Sequence, residues 1–295
     1  MTVDVFLQQL VNAVSLGGTY ALLALGLAMV FSIFGLINFA HGDLMTIAGF
    51  TIYFAMKGGI PFLAAILLGI AAAGLAALIM ERVAFRPLRG SSVAVLMLAS
   101  MAVSGGLQVL FQNVISARPV PIVTPQFLSE SVSLGGFDSG VIQLISLLSA
   151  VVVLILMSLF LKRTTIGISM RAAAENFAVT RLMGIRADRV IGSAFVLSGI
   201  LAGGAAVLWV SLRGSVDPMM GILPMFKAFI ATIIGGLGSL SGAVAGGFLL
   251  GFIDVGLQSY LPPSILPYQD AISFAIVIGV LLFRPQGILG RPATI

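Results

Sequence analysis

The chain holds few groups that could do chemistry, and their scarcity already narrows the field. There is no cysteine and one histidine, His41, which excludes a thiolate nucleophile, a Cys-based metal site and any metal site needing two imidazoles. What remains is a polar run, Asn38, His41 and Asp43, within Phe34-Gly-Leu-Ile-Asn-Phe-Ala-His-Gly-Asp-Leu-Met45, and Asp254, alone in an apolar context, which is either a similar candidate or simply faces a neighbouring polar group. No nucleophile–base pairing can be assembled from these, which speaks against an enzyme. The glycine-rich Gly235-Gly-Leu-Gly-Ser-Leu-Ser-Gly242 invites a test as a phosphate loop. It lacks the lysine of G-x-x-x-x-G-K-[ST], a motif found nowhere else in the chain, so neither ATP nor any other cofactor or metal is expected to bind here.

Composition says what surrounds these groups. Of 295 residues, 59% are hydrophobic and only 8% charged, with a mean hydropathy of +1.17. Soluble domains carry roughly a quarter charged residues; here most of the surface must face lipid. Uncharged stretches long enough to cross hydrocarbon are Val5–Ala40, Gly58–Met80, Gly90–Ala117, Ser139–Leu161, Val190–Leu212 and Ala228–Ile253, with a shorter one at Ala271–Phe283. Their lengths suit helices rather than barrel strands. The expected fold is all-α, a polytopic transmembrane bundle forming one integral membrane domain over residues 1–295. The first run has no basic flank, only Asp4 nearby, and so is expected to stay in the mature protein rather than act as a cleaved leader.

The formal charge of +5 is distributed as the positive-inside bias would place it, not as a nucleic-acid-binding patch. Arg82, Arg86 and Arg89 form one cluster, Lys162, Arg163, Arg171, Arg181, Arg186 and Arg189 a second, and Arg284 and Arg291 close the chain. All are expected on the cytoplasmic side, with Arg118–Asp138 and Arg213–Pro224 outside. A cytoplasmic C-terminus then requires an odd number of crossings after Pro224. That splits the long run at Gly235–Gly242 into two short segments, followed by the last span, for eight or nine membrane segments in all. A short piece at Leu44–Met56 in the first half and a glycine-broken run in the second match the pattern of discontinuous helices around a central site. Ionisable groups at such depth mark solute pathways, so Asn38, His41, Asp43, Gly235, Gly236, Gly238 and Asp254 are the pathway candidates. The favoured reading of the first three is simpler: a water-facing helix end, with Asn38 and Asp43 as caps. The recurrences Gly238, Gly242, Gly246 and Gly247, Gly251 read first as close helix packing, with contact to a moving path or a second membrane subunit as the alternative.

The loop 162–189 is the most informative connection. Arg171 to Met183 is alanine-rich and expected to be helical, with Gly184 as its C-terminal stop and Arg171 and Glu175 spaced i,i+4. Its charged and apolar residues do not sort into two faces, so a membrane-surface helix explains it poorly. A short helix of small residues held between two spans fits a groove on another protein.

The residues Gly35-Leu-Ile-Asn-Phe-Ala-His-Gly-Asp43, Glu81-Arg-Val-Ala-Phe-Arg-Pro-Leu-Arg89, Met170-Arg-Ala-Ala-Ala-Glu-Asn176 with Arg181-Leu-Met-Gly-Ile185, Gly235-Gly-Leu-Gly-Ser239 and Phe283-Arg-Pro-Gln-Gly287 together resemble a known family. It is that of the inner-membrane permease subunits of bacterial ABC importers for branched-chain amino acids, in their shorter, H-type form. The resemblance runs almost end to end; Phe177-Ala-Val179 departs from it, where the family often carries a proline and an acidic residue. It implies a multi-pass inner-membrane protein that pairs with an M-type permease, two cytoplasmic ATPases that bind the ATP, and a periplasmic substrate-binding protein. It makes Arg171, Ala172, Ala173, Glu175, Asn176, Arg181 and Gly184 the coupling helix seated on an ATPase. The neighbouring alternatives are a permease for urea, short amides or another small solute, and an ion-coupled secondary transporter, which would need Asp43 or Asp254 as its coupling site.

Overall fold

The computed structural model describes residues 3–134, 137–284 and 286–289; Arg291, one anchor of the orientation argument, and Pro285 of the C-terminal motif lie outside them. Among the described residues there are eleven α-helices: α1 (Val3–Phe34), α2 (His41–Lys57), α3 (Phe62–Met80), α4 (Val93–Val114), α5 (Val141–Arg163), α6 (Thr165–Glu175), α7 (Phe177–Leu182), α8 (Ala187–Arg213), α9 (Ile222–Gly235), α10 (Leu240–Tyr260) and α11 (Gln269–Phe283). Seven segments are long and apolar enough to cross a membrane, the last reaching that length as Leu266–Phe283 with the turn before α11; α9 is apolar but shorter, and α2 has 17 residues. With those two the segments number nine, in line with the expectation. Short strands tie the loops: β1 (Val120–Pro121) pairs antiparallel with β4 (Ser215–Val216), and β2 (Ser131–Leu134) with β3 (Phe137–Gly140).

Small residues set the centre of the bundle. A Cβ at Gly247 would meet the backbone of Ala21, and one at Gly251 the backbone of Gly17, so α1 and α10 touch main chain to main chain. Gly242 and Gly246 do the same against Gly235 and Ala231, joining α10 to α9. Close approach replaces the hydrophobic drive that lipid cannot supply, as the packing reading of these glycines expects. Gly238 does not belong to the seam. With φ of +86° it shapes the α9–α10 turn together with Gly236 at φ +109°. By contrast α4 is loosely held: only Leu96, Ser100 and Phe111 of its residues are buried.

Three expectations need correction. The run Val5–Ala40 is not one element: α1 stops at Phe34, Gly35 adopts a φ of +69°, and the chain runs irregularly to Ala40 before α2 begins. The run after Pro224 breaks at glycine as expected, but its halves are unequal. Lys227 does not end the apolar segment; it lies buried within the 14-residue α9, while the 21-residue α10 is long enough to cross. The helix expected from Arg171 to Met183 is two helices, because the Asn176 side chain accepts a hydrogen bond from Val179 N and starts α7 afresh. Gly184, at φ +81°, does follow the end of α7.

Candidate functional site

The first sixty residues and the segment after Arg213 form two half-helices that meet inside the bundle. His41, the first residue of α2, sits against α1 and α8 well away from their ends: its Nε2 lies 3.2 Å from the Leu23 carbonyl and its Nδ1 3.1 Å from Ser198 Oγ. A carbonyl can only accept, so Nε2 carries the proton and Nδ1 receives the Ser198 hydroxyl, which satisfies a neutral imidazole. The start of α9 arrives at the same level. A Cβ on Gly42 would strike the Gly221 carbonyl, and one on Gly221 the Gly42 carbonyl. Two helix N-termini, each the positive end of a dipole, thus converge at depth.

The structure overturns the favoured reading of Asn38, His41 and Asp43 as a water-facing end with caps. All three are buried, at 1%, 0% and 2% exposure, and the N-cap of α2 is Ala40, without a side-chain cap. Asn38 braces the turn instead, accepting from Ala40 N at 3.1 Å and lying 3.6 Å from Met80 Sδ. Asn38 and His41 hold the break. Asp43 alone of the three lines a cavity of about 230 Å³, together with Phe39, Gly42, Met101, Ser104, Gln108 and Phe226 among others. Its Oδ1 accepts from Gln108 Nε2 at 3.3 Å, while its buried Oδ2 makes no hydrogen bond among the described residues.

Asp254 is not alone. Lys227 pairs with it from α9, Tyr20 donates its phenol at 2.9 Å from α1, and Ser273 donates at 2.9 Å from α11. Lys227 also reaches Asp270 at 2.7 Å, and its ammonium lies 5.7 Å from the Tyr20 ring centroid. These contacts tie α1, α9, α10 and α11 at one point. Gly235 and Gly236 line neither this cavity nor the recess at the basic connections; the described residues after α11 fold over them, with Ile288 N bonded to Ile234 O and Leu289 N to Gly235 O. Sequence reading missed Tyr20, Lys227, Ser273, Ser198 and Gln108. Only the last carried a signal, since Ser104 and Gln108 are polar residues at i,i+4 inside an otherwise apolar span.

The basic connections gather at the opposite ends of α3, α5 and α8 from the β1–β4 tie. Arg89 joins Glu81 to Asp188, and Arg86 reaches Asp188 at 3.0 Å, linking the end of α3 to the start of α8. A recess of about 850 Å³ opens there, lined by Arg82, Arg186 and Arg189 as well as Thr165 and Ser169 of α6. Thr164 caps α6, accepting from Gly167 N at 3.0 Å, and Arg171 Nε donates to the Leu161 carbonyl at 3.0 Å. Met170 and Ala173 face the bundle, whereas Val179, Leu182 and Met183 at the tip of α7 are exposed, the last two at 87% and 77%.

A bundle of membrane-crossing helices with half-helices meeting in its interior defines a multi-pass membrane protein of the transporter class. Residues 9–281 match the family model "Branched-chain amino acid transport system / permease component", and the chain belongs to that family. It is 36% identical over 299 residues to the high-affinity branched-chain amino acid transport system permease protein BraD of Pseudomonas aeruginosa, covering 97% of this chain and 96% of the relative. It is 34% identical over 311 residues to LivH of Escherichia coli, which carries the same description, with the same coverage. Among solved structures, PsaBC from Streptococcus pneumoniae in complex with Fab superposes with a TM-score of 0.50 at 13% identity, over 94% of this chain and 92% of that one. That likeness is one of fold. The relatives are transport permeases, not enzymes.

Proposed function

We propose that this chain is the H-type permease subunit of an ATP-driven importer of branched-chain or similar hydrophobic amino acids in a bacterial inner membrane. The observation that carries the reading is the α6–α7 elbow. It is anchored to the bundle through Thr164, Arg171, Met170 and Ala173, and it presents exposed Val179, Leu182 and Met183 on a short helix. Apolar side chains this exposed on a connecting loop mark a docking site for another protein. In this reading the loop 162–189 and the C-terminus lie on the cytoplasmic side, which the distribution of the arginine clusters supports. The partner there is an ATPase, two copies of which bind the ATP that this chain does not. A second, M-type permease completes the path, and a periplasmic binding protein delivers the solute. Closure of the ATPases pushes on the elbow and switches the bundle between two packings.

Glu175→Lys at the end of α6 tests this reading. In the reconstituted importer, uptake-coupled ATP hydrolysis falls while the chain still inserts. Normal uptake by that variant counts against the elbow as the ATPase seat. Because the native chain has no cysteine, a single Leu182→Cys reporter also reads the side directly. A membrane-impermeant thiol reagent should reach it only from the cytoplasmic face.

A further inference from the structure

We propose that the cavity at the meeting of α2 and α9 is a transit site for a zwitterionic amino acid, with Asp43 receiving the α-ammonium group. The proposal rests on the importer reading above and names the groups that handle the solute in passage.

Three features of the cavity point to this ligand. Asp43 supplies the only acidic or basic side chain among the described residues that line it; no Lys or Arg does. The Asp43 carboxylate is met only by neutral groups, the Gln108 amide, the Ser104 hydroxyl and its own backbone amide, and its Oδ2 makes no hydrogen bond among the described residues. A buried carboxylate met only by neutral groups and by the start of its own helix stays costly until a cation meets it, and an ammonium with its three donors is the fitting partner. The second feature is the pair of helix starts. The first turns of α2 and α9 bring Gly42 and Ile222 to the cavity wall, and the positive ends of two half-helices favour an anionic group such as a carboxylate. Opposite charges are thus accommodated side by side, as an amino acid requires and a neutral amide or a simple cation does not.

The third feature is the rest of the wall. Phe39, Met101, Met225 and Phe226 are apolar, and Met side chains repack around differently shaped hydrocarbon groups. At about 230 Å³ the space is below the roughly 300–1,000 Å³ of drug-sized pockets, which suits a small aliphatic amino acid. The other buried carboxylates among the described residues of the membrane region each have a cation already: Asp254 is met by Lys227, Tyr20 and Ser273, and Glu81 by Arg89.

The test uses the assembled importer with a Gly105→Cys reporter. Gly105 lines the cavity, and a Cβ there meets no atom within 4 Å, so the reporter fits without displacing a neighbour. Leucine should slow alkylation of this cysteine by N-ethylmaleimide. 4-Methylpentanoate, which lacks the ammonium, should not, and 3-methylbutylamine, which lacks the carboxylate, should protect only at higher concentration. Adding Asp43→Asn should raise the half-protecting leucine concentration about tenfold or more, equivalent to about 1.4 kcal/mol. The analogue series leaves Asp43 intact, so it decides the matter even if that variant fails to fold. Equal protection by 4-methylpentanoate, or by leucine in the Asp43→Asn background, overturns the ammonium assignment. Absence of leucine protection in vesicles that do take up leucine overturns the site but leaves the importer standing. Absence of leucine uptake by the native complex removes the reading on which both depend.

Discussion

Besides Glu81, which Arg89 pairs at the end of a span, two carboxylates among the described residues lie buried between the membrane helices, and they are provided for in opposite ways. Asp254 is met by a lysine, a phenol and a hydroxyl from three other helices, whereas Asp43 is met by neutral groups alone, among them Gln108 and Ser104, with no cation and no partner for Oδ2 among the described residues. A charge in low dielectric must be compensated within hydrogen-bonding reach. The first site does this with the protein's own groups and gains a four-helix tie. The second leaves the compensation to something that arrives. The lesson is that burial of an acid does not by itself mark function; the completeness of its shell separates a structural acid from one that waits for a ligand.

The contrast can be broken or sharpened by substitution, with stability read in detergent from the fluorescence of the single tryptophan, Trp209. Lys227→Met should have the largest effect, lowering stability by about 3–5 kcal/mol, because it strands Asp254 as a buried charge. A loss below about 1 kcal/mol would mean that Asp254 is not compensated by this pair. Tyr20→Phe removes one charge-assisted hydrogen bond and should cost about 2 kcal/mol. The double variant Lys227→Met/Asp254→Leu should recover most of the single lysine loss, to within about 1–2 kcal/mol of the native chain, since an apolar pair needs no compensation. The residual deficit reflects the stranded hydroxyls of Tyr20 and Ser273. Asp43→Asn should move stability least, by about 0.5 kcal/mol or less, while leucine uptake falls. If it destabilises the chain as Lys227→Met does, the two acids are alike and the distinction fails.

Much of the architecture could be read from the residues. Charge-free runs and arginine clusters gave the spans, Gly235–Gly242 gave the break between α9 and α10, and the odd shortness of Leu44–Met56 pointed to half-helices. The interior was less legible, for definite reasons. Lys227 looked like the edge of a span, because a lysine is rarely buried without a partner and its partner lies 27 residues away on another helix. Asn38, His41 and Asp43 looked like caps, because capping chemistry and buried-site chemistry use the same side chains. Only the burial of the turn, set by Leu23 and Ser198, decides between them. At Asn176 the local signal was alanine-rich helix, and one side-chain hydrogen bond to Val179 N outweighed it.

The cover placed over the α9–α10 turn bears on biogenesis. The amides of Ile288 and Leu289 complete the carbonyls of Ile234 and Gly235 at 2.7 and 3.0 Å, yet they are made more than fifty residues later. The half-helix therefore enters the bilayer with its C-terminal end unfinished. It acquires its last bonds only after α10 and α11 have also been made. A polypeptide truncated just after α11 should still insert and pack along its glycine seams, but the end of α9 stays open, and faster proteolysis at the α9–α10 turn should report it.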